Sequence, residues 1–189
     1  MVSRSLVLAY HGCDVSVARK VASGKGQLRL SVNDYDWLGS GLYFWEDSYA
    51  RAWQWALKEA KSKSGKVRRP AVLGAVIDLG NCLNLIDTEH LALIRTAHKE
   101  YLHFCRVSGV PPAQNKGSDL KARYLDRAVL EALHQLRLQQ EQPKFDTVRA
   151  FFVEGKPLYE GAGLRDLDHI QICVRERKNI IGYFLPRRG

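Results

Sequence analysis

The sequence predicts an α+β fold, with strands at both ends of the chain and helices between them. Short apolar runs rich in Val, Ile, Leu and aromatics open and close the 189 residues, while the middle repeats apolar residues at three- and four-residue spacing. The terminal runs carry no neighbour to pair with locally, so the sheet has to join the two ends of the chain. At this length one domain, spanning residues 1–189, is large enough to bury a full core without disulfides or metal.

Taken in order, Ser5–Tyr10 reads as a short strand ending at His11-Gly12. Asp14 caps a helix to about Ser23, with Val15, Ala18, Val21 and Ala22 on one side and Gly24 as its stop. Leu28, Leu30 and Val32 alternate like a half-buried strand. Leu42–Trp45 reads as a buried strand, and Asp47 or Ser48 then caps a helix carrying Tyr49, Trp53, Ala56 and Ala60. Lys61–Pro70 is a basic loop and Ala71–Leu79 a buried strand. Asp87 or Thr88 caps a long helix to about Val107, and Ser108–Ser118 is a loop. A second long helix runs from about Asp119 to Gln140, with Tyr124, Ala128, Ala132 and Leu136 in register. Thr147–Glu154, Ile170–Arg175 and Ile180–Leu185 complete the strands.

The densest stretch is Asn33–Ala56, which holds Gly39-Ser40-Gly41, the run Tyr43-Phe44-Trp45 and, flanking the turn within seventeen residues, Trp37, Trp45 and Trp53, three of the four tryptophans in the chain. Gly39 and Gly41 allow a sharp turn and close approach of a flat ligand. Alone this is a strand–turn–helix corner filled with aromatics. With His11-Gly12 on the first strand it becomes a pair of motifs in a fixed order.

Together, His11-Gly12, Gly39-Ser40-Gly41-Leu42-Tyr43-Phe44 and the helix with Ala50, Ala52 and Trp53 resemble the NAD-binding core of the diphtheria-toxin-like ADP-ribosyltransferases. That branch includes the poly(ADP-ribose) polymerases, and the form seen here looks closer to its bacterial, toxin-type members. The resemblance implies a split sheet whose two packed halves form an NAD cleft with flanking helices. It implies that His11 donates to the adenosine ribose, that the Gly12 backbone holds the nicotinamide carboxamide, and that Tyr43 stacks on the nicotinamide. Trp53 covers the other nicotinamide face by position, although it also fits the core stripe of its helix. The family's catalytic glutamate falls, eight residues before Asn179-Ile180, on Gln171. A carboxamide still accepts a hydrogen bond but carries no charge. That departure suits mono-transfer rather than chain elongation, or passes the role to Glu160, Asp166 or Asp168 in the preceding loop. Tyr159, Glu160 and Arg165 of that loop correspond in position to the family's target-selecting segment.

The implied activity is NAD-dependent mono-ADP-ribosyl transfer by an intracellular toxin or effector, with NAD as co-substrate and no metal. An NAD glycohydrolase, or a catalytically silent module binding ADP-ribose or nucleic acid, is the alternative. The net charge of +9 favours a polyanionic partner, RNA or DNA ahead of protein, or an acidic inhibitor docking as an antitoxin. Basic clusters lie at Lys61–Arg69, Arg175–Lys178 and Arg187-Arg188, without aromatic interleaving. Cys13, Cys82, Cys105 and Cys173 are scattered, which reads as reduced thiols in a cytoplasmic, monomeric protein. No run is apolar enough for a membrane span, and the N-terminus lacks a signal peptide's pattern.

Overall fold

The computed structural model describes residues 5–34, 36–117, 120 and 122–187. Its spine is strand β1 (Leu6–Asp14), which runs on past Tyr10 through His11 and Gly12. Along its whole length β1 pairs antiparallel with β3 (Pro70–Asp78), from Leu6 opposite Asp78 to Asp14 opposite Pro70. Its other edge meets β2 (Leu42–Glu46) only at Ala9–Glu46 and Tyr10–Trp45. β2 pairs antiparallel with β6 (His169–Val174), and β6 with β5 (Thr147–Phe152). β4 (Cys82–Asn84) adds parallel to β5, and β7 (Ile180–Phe184) closes the far edge against β3. The order is β4-β5-β6-β2-β1-β3-β7, a seven-stranded mixed sheet. Hydrogen bonding runs through all seven strands, and two halves of this one sheet meet at the two-residue β1–β2 ladder.

Four helices cover the sheet. Helix α1 (Val15–Ala22) is capped by Asp14, whose Oδ1 accepts from the Ser16 amide at 2.9 Å. Its Oδ2 accepts from the Arg68 and Arg69 amides at 2.9 and 2.8 Å, so one carboxylate caps a helix and pins the basic loop. The Arg69 and Ser16 bonds hold this carboxyl well below the usual range. Helix α2 (Tyr49–Lys61) is capped by Ser48, since Asp47 turns into the left-handed region at φ 47°. Helix α3 (Thr88–Ser108) is capped by Asp87 and stops at Gly109, φ 66°.

Helix α4 (Tyr124–Gln139) starts later than the sequence suggests, and Asp119 lies outside the described residues. Its buried face is Val129, Leu130 and Leu133, one row over from the expected Tyr124, Ala128, Ala132 and Leu136. Branched side chains bury more apolar area than alanines, so their row wins the core. One further expectation is corrected. Leu28–Val32 is not a strand: only Ser31 bridges, to Gly41, while Leu28 is buried without a ladder. The three-residue β4 was too short to show a period.

Strand alternation sorts the core into two faces. On one, Ala9, Cys13, Phe44, Leu73, Ile77 and Ile172 pack with Ala18 and Val21 of α1. On the other, α3 and α4 cover Val148, Ala150, Phe152 and Cys173. Beside them on that second face α2 covers Trp45 and Val72 through Ala52. All four cysteines are free. Among the described residues no helix is long and apolar enough to cross a membrane.

Candidate functional site

The Gly39–Gly41 turn is fixed from three directions. The Tyr43 hydroxyl donates to the Gly39 carbonyl at 2.7 Å and accepts from the Leu38 amide at 3.0 Å. Glu131 of α4 accepts from the Ser40 amide at 2.9 Å. A side chain at Gly41 would overlap Cys173 Sγ and the Val174 carbonyl, and Gly39 sits at φ 82°. Both glycines are therefore demanded by the packing of the turn onto β6 and α4. The Tyr43 ring packs within the α3/α4 cluster, and burial pushes its phenol far above the ordinary range.

His11 occupies the point where the β1–β2 ladder ends. Its Nδ1 lies 2.8 Å from the Tyr43 carbonyl, and its ring centroid 5.7 Å from that of Phe44. A carbonyl only accepts, so Nδ1 carries the proton and neutral Nε2 is an acceptor. Burial lowers the His11 pKa, outweighing the Tyr43 bond that raises it. At neutral pH the free ring nitrogen of His11, Nε2, is therefore an acceptor and not the donor that the resemblance implies. By alternation it shares the α1 face with Ala9 and Cys13.

Gln171 lies on the opposite face, so the structure does not set it beside the His11 ring. On β6 it pairs with Trp45 and Ala150. With its neighbours there it forms a buried polar cluster in an apolar wall. Trp45 is 7 %, His169 5 % and Gln171 8 % exposed. Among the described residues Trp45 Nε1, His169 Nε2 and Gln171 Oε1 are buried without a protein hydrogen-bond partner. His169 Nδ1 donates to the Leu167 carbonyl at 2.7 Å, which leaves its Nε2 an acceptor. The Trp45 and His169 centroids stand 6.3 Å apart, and those of Trp45 and Trp55 6.1 Å. Glu154 approaches His169 Nδ1 at 3.7 Å and is held by Arg51 at 2.8 Å.

The remaining expected residues separate. Gly12 packs against α2 on the same face as Gln171, where a Cβ would overlap the Ala52 carbonyl and press on Trp55 at 3.0 Å. The aromatic of α2 that meets Gly12 and Trp45 is therefore Trp55, while Trp53 lines a different cleft with Tyr49. In the loop at residues 155–168, Tyr159 and Glu160 are exposed. Asp168 accepts from the Glu154 and Arg165 amides and Asp166 from the Lys156 amide, so both staple the loop. Trp45, Trp55, His169 and Glu154, which gather around Gln171 in the fold, are not among the candidates that the sequence points to. The period of two placed His169 beside Gln171, but Glu154 and Trp55 carried no comparable signal.

Three histidines are held neutral by burial, His11, His169 and His134, the last lowered to about 4. The unfolded chain protonates these groups near pH 6.5 and the folded chain only below it, so the unfolded state binds more protons in between. Stability is expected to be flat between about pH 7 and 8 and to fall from pH 6.5 towards 4, at up to roughly 1.4 kcal/mol per pH unit per histidine. Urea titrations across that range check this, and equal midpoints at pH 7.5 and 5 refute it.

No family model and no solved structure matches the chain. A curated relative does: an uncharacterized protein of Methanocaldococcus jannaschii, MJ0359, is 28% identical over 101 residues. The match covers 52% of this chain and 46% of the relative, so the chain spans about half the length of the curated protein it matches. Among the described residues no group of three His, Cys, Asp or Glu could hold a metal.

Proposed function

We propose that the chain is an NAD-dependent mono-ADP-ribosyltransferase that acts as an intracellular toxin or effector on a macromolecule, nucleic acid ahead of protein. The observation that carries this reading is the cluster around Gln171. Two buried acceptors, Gln171 Oε1 and His169 Nε2, sit on one strand face and lack a protein partner. A ribose presents two neighbouring hydroxyl donors, which match that pair. Trp45 and Trp55 supply flat apolar surface for a nicotinamide ring, with Trp45 Nε1 as a donor for an oxygen.

In the reaction the ribose C1′–nitrogen bond breaks and its electron pair leaves with nicotinamide. The acceptor's lone pair then bonds to C1′ and the acceptor loses its proton. Gln171 and His169 orient the ribose, and the buried setting strengthens each hydrogen bond. Glu154, beside His169, is the carboxylate positioned to offset positive charge. A silent ADP-ribose-binding module is the second reading, favoured because Gln171 is uncharged and Arg51 already neutralises Glu154.

Incubation with adenylate-labelled NAD, with and without RNA, DNA and cell extract, separates these readings. Label on a polymer is expected. Free ADP-ribose alone assigns a glycohydrolase, and NAD binding without turnover assigns the silent module. Absence of both NAD binding and NAD turnover overturns the proposal.

A further inference from the structure

The three basic clusters of the sequence meet different fates in the fold. Arg175–Lys178 is spent internally: Arg175 lies 3.6 Å from Glu131, Arg177 donates to the Leu28 carbonyl, and Lys178 reaches Asp146 at 3.5 Å. Arg188 is outside the described residues. Lys61, Lys63, Lys66, Arg68 and Arg69 are exposed, and among the described residues none forms an ion pair. The carboxylate that touches this loop, Asp14, is occupied by the Arg68, Arg69 and Ser16 amides and the Ser16 hydroxyl.

The aromatics missing from this basic run are delivered by α2. A cleft of about 240 Å³ opens beside the loop, lined by Val15 and Arg19 of α1, Tyr49 and Trp53 of α2, Pro70, and Leu185. Exposed Arg187 lies two residues beyond Leu185 in the chain. The volume falls below the roughly 300–1,000 Å³ of sites for drug-sized ligands. It suits a single ring system, not a whole dinucleotide. The Tyr49 ring is buttressed edge-on by Tyr10, and Tyr10 by Phe184, at centroid distances of 6.0 and 6.2 Å. A cleft lined by two aromatics and Arg19, with a basic loop leading into its Pro70 wall, offers both demands of single-strand recognition, stacking for a base and charge for its phosphates.

We infer that this cleft and the basic loop beside it bind single-stranded nucleic acid, one base entering against Tyr49 and Trp53 while Arg19, Arg68, Arg69 and Arg187 hold the backbone. The surface lies close to the candidate site, since Val72 of the cleft pairs directly with Gly12. Binding here needs no NAD and stands apart from the transferase reading.

Fluorescence anisotropy tests this with labelled oligouridylate, oligothymidylate, an abasic strand of equal length and charge, and polyglutamate. The base-bearing strands are expected to bind about tenfold or more tighter than the abasic strand. Their comparison tells RNA from DNA as the natural source. The triple variant Arg19→Glu, Arg68→Glu, Arg69→Glu should weaken strand binding by about a hundredfold and flatten its salt dependence. Its NAD turnover without polymer should be unchanged. Equal affinity for base-bearing and abasic strands, equal affinity for polyglutamate, or indifference to charge reversal overturns the inference. Base-dependent strand binding in a protein that never turns over NAD supports it while removing the transferase reading.

Discussion

Tyr43→Ala is expected to destabilise the protein by about 3–5 kcal/mol, the range for emptying a large aromatic core site. Two costs combine. The ring leaves a cavity between β2, β6 and helix α4, and the Gly39 carbonyl and Leu38 amide lose the hydroxyl that joins them. Tyr43→Phe separates these terms, keeping the ring and removing the bonds, and should cost roughly 1–3 kcal/mol. Urea denaturation of the two variants checks both figures. The resemblance assigned Tyr43 to stacking on nicotinamide, which requires a folded Tyr43→Ala protein that has lost only NAD turnover. That result would mean the ring turns out of the core when NAD binds.

Gln171→Ala should lower NAD cleavage by about tenfold or more while NAD affinity changes less, because orientation at the reacting ribose is lost. Gln171→Glu restores a charge beside the breaking bond and should preserve or raise cleavage. The side chain is only 8 % exposed, so thermal melts must first show that the added carboxylate leaves the fold intact. Full activity in Gln171→Ala together with loss in Glu154→Ala transfers the charge-bearing role to Glu154 and leaves Gln171 as scaffold. Glu160→Ala is expected to leave cleavage unchanged, since Glu160 stands exposed on the loop. Asp168→Ala should act on loop order, because its carboxylate holds the Glu154 and Arg165 amides.

Local chemistry determined much of this protein from the sequence alone. Asp14, Ser48 and Asp87 cap helices because a short acceptor before an apolar-periodic run satisfies free amides, wherever the run later packs. The strands at residues 42–46, 70–78 and 147–152 were legible for a similar reason: a buried strand needs a continuous apolar run. Non-local pairing leaves no such local mark. Three residues of β4 owe their strand state to β5, 65 residues on, and Leu28–Val32 alternates correctly but pairs only at Ser31, with Gly41. The choice between Trp53 and Trp55 depended on which face of α2 meets Gly12, and a glycine's missing side chain becomes a contact only once a helix lies across it. The site obeyed the same rule. His11 and Gln171 could be picked out singly, but whether they share a face depends on strand register, and a shift of one residue exchanges the faces. Register set Gln171 beside Trp45, and the pairing of β5 with β6 brought Glu154 and His169 together.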